Sequence, residues 1–223
     1  MHTVRPVLLV LLAGAVLGTT LASSPAPQGQ LVRVLSYNIH HGEGTDGRID
    51  LGRLAGVILN AQADVVALQE VDRGAARTAG VDQAAELARL TGLGMEFAQT
   101  IPLQGGQYGN AVLSRWPILR ATNRALPNPA GGEARAVLEV EIATPAGDRI
   151  TVLATHFHHT ADETNRVASA EALLAWFPPE ADAARPGGPM LLAGDLNATP
   201  DSRPLALLVK AWFVAGAVGM APT

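Results

Sequence analysis

Apolar residues in this chain fall into short, nearly continuous runs, and each run closes on polar side chains just before a turn. Leu31-Val32-Arg33-Val34-Leu35-Ser36-Tyr37-Asn38 is the first such run and predicts a strand. Asp64-Val65-Val66-Ala67-Leu68-Gln69-Glu70 predicts a second, buried along most of its length and ending in Gln69 and Glu70. Tyr108 to Arg115 predicts a third, broken by Pro117. Shorter strands are expected at Ile118–Leu126, Ala136–Ala143 and Ile150–Phe157, where Pro/Gly turns suggest an antiparallel meander. A last run from Met190 reads as a buried strand, with Gly194 turning the backbone so that Asp195 and Asn197 emerge at its carboxyl end.

Between these runs the period changes to that of helices. Ile49 to Ala61 places Leu51, Leu54, Ala55, Ile58 and Leu59 on one face, and Asp50 stands near the start, where a negative charge is favourable. Asp82 to Thr91 repeats the pattern through Ala85, Leu87, Ala88 and Leu90, with Gly92 and Gly94 as stops. Asp162 to Phe177 predicts a third helix, closed by Pro178-Pro179, and Ala181 to Pro189 a polar loop rich in Gly and Pro. β-α-β units thus alternate with hairpins in a chain of 223 residues, which suits one large α/β domain.

The first 30 residues follow a different logic. Arg5 supplies a positive start, Val7 to Leu17 an apolar segment and Thr20-Leu21-Ala22 a small-residue cleavage site, so residues 1–22 read as a signal peptide and 23–30 as a flexible leader. The apolar segment falls short of the about 20 residues that cross a bilayer. The expectation is a secreted or periplasmic protein with no transmembrane segment after cleavage. Cysteine is absent, so the mature fold must rest on its core rather than on disulfides.

Charge narrows the partners. Acidic residues outnumber basic ones by 20 to 16, and only Lys210 among the basic residues is a lysine. A protein that coats polyanions is normally strongly basic, so strong non-specific nucleic-acid binding is not expected, whereas a small phosphorylated substrate remains compatible.

Chemistry concentrates at the ends of the runs: Asn38, Glu70, Asn110, His156, Asp195 and Asn197 each follow apolar residues. A carboxylate such as Glu70 at the end of an apolar run is costly unless paired or bound to a cation, which marks it as a metal ligand; an exposed glutamate capping a loop is the bland reading. Asp195 can accept a proton or orient a water, and the Asn197 amide can donate to an oxyanion; the alternative is a turn in which both bond only their own backbone. Arg73 and Arg77 follow Glu70, where they could meet phosphate oxygens, but a solvated face is the preferred reading, since surface arginines are common.

Five segments in this order, Leu35-Ser36-Tyr37-Asn38, Ala67 to Asp72, Tyr108 to Arg115, Thr155-His156 and Gly194-Asp195-Leu196-Asn197, resemble the endonuclease/exonuclease/phosphatase superfamily of metal-dependent phosphoesterases. The resemblance implies a four-layer αββα sandwich of two mixed, largely antiparallel sheets. It implies that Glu70 binds Mg²⁺, with Mn²⁺ as an alternative, and that Asn38 lies close to the cation. His156 would hold a phosphate oxygen, Asp195 would activate the attacking water, Asn197 would stabilise the transition state, and Asn110 would support them. The implied substrate is a phosphate ester: nucleic acid, a phospholipid head group, or a sugar or inositol phosphate.

Two rival readings remain. Five of the six histidines lie in the clusters His40-His41 and His156-x-His158-His159, a combination suited to zinc. The resemblance also carries a later Asp-His segment, yet beyond Asp201 the chain runs to Thr223 with no histidine or acidic residue. The domain, residues 31–223, is therefore expected to be shortened at its carboxyl end, with an uncovered apolar face near Ala211 to Met220, or to be a binding module on an incomplete enzyme fold.

Overall fold

Side chains that alternate between the two faces of a strand can bury both, and here that alternation sorts the apolar residues into three separate interfaces. A computed structural model describes residues 31–178 and 188–212. Residues 1–30, read above as signal peptide and leader, residues 179–187 and residues 213–223 lie outside the described residues, and with them most of the loop expected at Ala181 to Pro189 and of the apolar face expected near Ala211 to Met220.

The first sheet comprises β1 (Val34–Asn38), β2 (Val65–Arg73), β3 (Gly94–Leu103) and β4 (Gly106–Ser114), in the order β1-β2-β4-β3. The second comprises β5 (Ile118–Ala125), β6 (Ala136–Ala143), β7 (Arg149–His156) and β8 (Met190–Asp195), in sequential order. The β1/β2 and β7/β8 pairs are parallel and the other pairs antiparallel. Helices α1 (Leu51–Asn60) and α2 (Gln83–Thr91) cover the outer face of the first sheet, burying Val66, Leu68, Ala111 and Leu113 with Leu54, Ile58 and Leu87. Between the sheets lie Val65, Ala67 and Val112 from one side and Leu138, Val140, Val152 and Ala154 from the other. Helices α3 (Thr164–Trp176) and α4 (Arg203–Leu208) cover the second sheet, where Val137 and Leu153 meet Ala170, Leu173 and Leu208. This is the expected four-layer αββα sandwich. The central strands read as unbroken apolar runs because both of their faces are covered.

Helix starts follow their sequence signals. Asp50 Oδ1 accepts from the Arg53 amide at 2.9 Å and Asp82 Oδ1 from the Ala85 amide at 3.0 Å, while Gly92, at φ 72°, closes α2 in the left-handed conformation. The expected apolar faces are rotated slightly in both helices. Leu59 in α1 is exposed, and in α2 the buried positions are Gln83, Ala84 and Leu87 rather than Ala85.

Three further expectations change. Gly94 does not stop α2 but opens β3, a strand the hydrophobic pattern did not predict; its mostly half-buried side chains and Pro102 suit its place at a sheet edge. The second strand does not end at Glu70 but continues to Arg73 through a bulge: Leu68 pairs with Ala111 and Val71 with Gly109, leaving one extra residue on β2. β8 is half-buried rather than buried, because among the described residues β7 is its one neighbouring strand, and Gly194 makes no turn. Its role is close approach, since a Cβ there would overlap the Thr155 carbonyl oxygen of β7.

These two glycine environments make a paired prediction. Gly194→Ala is expected to destabilise by about 1–3 kcal/mol, the usual cost of forced overpacking. Gly56→Ala in α1, where a Cβ meets nothing within 4 Å, is expected to stabilise by roughly 0.5–1 kcal/mol. Urea unfolding of both variants checks the two signs.

Candidate active site

Strand direction explains why distant residues meet. The parallel pairs point their carboxyl ends the same way, so β1 and β2 deliver Asn38 and Glu70 while β7 and β8 deliver His156 and Asp195. Their antiparallel neighbours bring their starts to the same end: Tyr108 of β4 pairs with Asp72 of β2, and Val137, two residues past Arg135, pairs with Thr155 of β7. Together they line a cleft of about 360 Å³ with Glu70, Tyr108, Arg135, His156, Asp195 and Asn197 in its walls.

Asn38 joins the two sheets at this cleft. Its Nδ2 donates to Glu70 Oε1 at 2.8 Å and to Asp195 Oδ2 at 3.2 Å. Its Oδ1 accepts from the His40 amide at 3.0 Å, which fixes the orientation of the side-chain amide. Asn38 thus lies beside Glu70 as a donor between two carboxylates, and its oxygen, with one lone pair on the His40 amide, keeps a second that a cation could use.

The bulge in β2 sets the position of Glu70. Its φ is 60°, a left-handed value that non-glycine residues rarely adopt. Strain of this kind persists where surrounding contacts over-determine it, and bulges commonly re-aim a side chain beside a site. Gln83, fully buried at the start of α2, contributes such contacts: its Oε1 accepts from the Asp72 amide at 2.9 Å and its Nε2 donates to the His41 carbonyl at 2.7 Å. One helix residue thus ties the bulged strand to the loop after β1.

Asp195 is held from its own side. Its Oδ1 accepts from the Asn197 amide at 2.9 Å, and Asn197, at φ 45°, donates Nδ2 to the Phe157 carbonyl at 3.0 Å. The self-bonded turn foreseen for this pair is present, and the pair faces the cleft as well. One proton of the Asn197 NH₂ is left to donate. His156 is buried, with Nε2 at 3.9 Å from Asp195 Oδ2, too far for a hydrogen bond, and Nδ1 at 3.4 Å from Arg135. Burial, and after it the Arg135 guanidinium, pushes its pKa down to about 4, against the opposing pull of Asp195 and Glu70. The ring is neutral at pH 7. Asn110 lies under the site: its Nδ2 donates to the Ala136 carbonyl at 3.2 Å, joining β4 to β6 beside Arg135.

Three further residues border the site. Arg77 is not a solvated face: it borders the cleft, binds the fully buried Asp72 through Nε at 2.7 Å and NH2 at 2.8 Å, and lies 5.7 Å from the centre of the Tyr108 ring. Arg73, by contrast, is half exposed and pairs with Asp82. Arg135 is 6% exposed, with NH1 at 2.7 Å from Glu133. Tyr108 stays protonated, because burial and the Glu70 charge push its pKa up to about 12. The apolar alternation around Tyr108 disguises it as core, and a lone arginine at a strand start carries no pattern of its own.

Both histidine clusters reach the cleft, through His40, His156 and His159. Among the described residues, the His and carboxylate trio whose donor atoms lie within 4.8 Å of one another is His40, His41 and Glu70. His158 is bonded through Nδ1 to Thr160, and among the described residues no group of donor atoms this closely spaced joins the two clusters. A carboxylate and two imidazoles at this spacing suit a divalent cation.

The sequence pattern of the Endonuclease/Exonuclease/phosphatase family matches residues 35–220. Uncharacterized protein YbhP of Escherichia coli (strain K12) is 32% identical over 175 residues, 74% of this chain; the match spans 66% of that relative's length. The crystal structure of an endonuclease/exonuclease/phosphatase from Beutenbergia cavernae is 28% identical, covering 76% of this chain and 48% of its own, with a TM-score of 0.63. A mannosyl-6-phosphatase from Bacteroides thetaiotaomicron shares the fold at 16% identity, with a TM-score of 0.64 and coverage of 81% of this chain and 70% of its own. The chain belongs to the endonuclease/exonuclease/phosphatase family.

Proposed function

We propose that this protein is an exported, divalent-metal-dependent phosphoesterase that hydrolyses a phosphodiester or phosphomonoester by in-line attack of water. The observation that carries this reading is the single amide of Asn38 holding Glu70 and Asp195 together across two sheets, beside a buried neutral histidine. Two carboxylates drawn to one donor, with two arginines behind them, match a cation and a phosphate better than either alone. A mannosyl-6-phosphatase on this fold is in keeping with a phosphate-ester substrate.

A bound Mg²⁺ or Mn²⁺ would polarise a phosphoryl oxygen and offset charge developing on it. Glu70 would hold that cation. The other roles belong to the chain. Asp195, fixed by the Asn197 amide, orients the attacking water and accepts its proton. His156, neutral, donates a hydrogen bond to a phosphate oxygen without needing to change its protonation state. The remaining Asn197 N–H is available to the same phosphoryl group, and Arg135 and Arg77 supply fixed positive charge along the wall. Only two of the cleft-lining residues are arginines, in a chain whose acidic residues outnumber its basic ones, which favours a small ester or a short segment over a long polyanion. A binding module on the same fold would need none of the restraint seen at Asp195.

Asp195→Asn keeps the bond to the Asn197 amide but removes the base. Turnover on a panel of phosphomonoesters and phosphodiesters should fall by about 10²–10⁴-fold with KM nearly unchanged. A rise in KM alone would make Asp195 a substrate-binding group. Stability offers a second check. The folded His156 titrates near 4 and its unfolded counterpart near 6.5, so the unfolded chain binds the extra proton between those values. Stability is then full above about pH 6.5 and is lost as pH falls toward about 4. The melting temperature of His156→Asn should depend less on pH than wild type across that window.

A further inference from the structure

The loop that follows β1 spends conformational energy to bring two imidazoles beside Glu70. His40 and His41 have φ values of 46° and 43°, consecutive left-handed positions occupied by neither glycine nor asparagine. The turn is held from three directions: the His40 amide donates to Asn38, the Ile39 amide donates to the Gln69 carbonyl at 3.1 Å, and Gln83 donates to the His41 carbonyl. One ring nitrogen of each histidine and a carboxylate oxygen of Glu70 lie within 4.8 Å of one another, a spacing that small side-chain rotations reduce to the roughly 3–4 Å between donors on one ion with ~2.1 Å bonds.

The state of His41 points the same way. Its Nε2 lies 3.2 Å from Glu43 Oε2, and its Nδ1 is buried with no hydrogen-bond partner. An N–H donated from Nε2 to the carboxylate fixes the tautomer that leaves the Nδ1 lone pair free. A buried acceptor without a partner is costly, and a metal-ligating histidine commonly donates its other ring nitrogen to a carboxylate in this manner. No cysteine competes for a cation anywhere in the chain.

We propose that His40, His41 and Glu70 form a mixed imidazole–carboxylate centre, with Glu43 as the outer carboxylate, that selects a borderline first-row dication such as Mn²⁺, Co²⁺ or Zn²⁺ over Mg²⁺. The proposal rests on the assignment of Glu70 as cation ligand and deepens it. Magnesium favours hard oxygen donors and gives up its waters reluctantly, whereas imidazole favours the borderline ions. The site's chemistry is thereby set by two residues next to Asn38 rather than by Glu70 alone.

The test uses the full chain stripped with a chelator and titrated calorimetrically with MgCl₂ and MnCl₂, with visible absorption of added Co²⁺ as a second readout. Asparagine replaces each histidine, because it tolerates the left-handed backbone and exchanges a nitrogen donor for a hard oxygen. Wild type is expected to bind Mn²⁺ at least about tenfold more tightly than Mg²⁺, and His40→Asn and His41→Asn to bring that ratio within about threefold. Glu43→Gln should weaken Mn²⁺ by about 10–100-fold and Mg²⁺ less. The Co²⁺ bands of wild type should shift in both histidine variants. If His41→Asn does not fold, exposed His40 carries the test. An unchanged Mn²⁺-to-Mg²⁺ ratio in the folded histidine variants overturns the proposal. Cation binding that survives Glu70→Gln undiminished overturns the assignment of Glu70 itself, and absence of phosphate-ester hydrolysis by the metal-loaded wild type with intact metal selectivity overturns the phosphoesterase reading alone.

Discussion

Two negative charges facing one cleft from different sheets repel each other, and the fold places a donor between them. The Asn38 NH₂ bonds Glu70 at the bulge of β2 and Asp195 at the end of β8, so the geometry of the cleft depends on how the edges β1 and β8 are juxtaposed. Much of the rest of the sandwich bears on that juxtaposition. The inter-sheet core of Val65, Ala67, Val140 and Val152 sets the separation of the sheets, and Asn110, reaching from β4 to the Ala136 carbonyl of β6, holds it at the active end. Loss of the amide would leave the carboxylates to separate or to take up a proton, either of which dismantles the site.

Local strain is distributed in the same region. Glu70, His40, His41 and Asn197 all have positive φ without being glycine, and all contribute to one end of the two sheets. Hydrogen bonds hold these residues or their neighbours: Asn38 binds the Glu70 carboxylate and the His40 amide, Gln83 of α2 the His41 carbonyl, and Asn197 the Phe157 carbonyl after β7. Energy gained in the covered cores is thus used to hold a few polar residues where an unconstrained backbone would not place them.

This distribution accounts for what could be read from the sequence. The αββα frame was legible because central strands write themselves as unbroken apolar runs and helices α1 and α2 as capped amphipathic segments; Asp50 and Asp82 act as caps where their positions implied. The polar residues closing those runs, Asn38, His156 and Asp195, were legible for the same reason. Less visible was whatever depends on tertiary pairing. The edge strand β3 lacks a buried face and therefore a clear period. The bulge at Glu70 is a mismatch with β4 that neither strand records alone. Arg77 looked like an ordinary surface arginine because its partner Asp72 is buried only through the continuation of β2 beyond that bulge.

Charge explains why these elements work as one unit. Asp72 is fully buried and is neutralised by Arg77, Glu133 faces Arg135, and Asn38 bridges the remaining pair, so each carboxylate at the cleft has an assigned counterpart within the wall. Arg135 also lies against His156 and, with burial, keeps that ring unprotonated, which prevents a histidine beside two acids from becoming simply their counter-ion. A neutral imidazole leaves Glu70 and Asp195 without a full cationic partner among the side chains that touch them. That negative charge, concentrated where the two sheets open, is the physical basis for proposing a cation at this end of the fold, and a cation seated there would reverse the local potential for a phosphate.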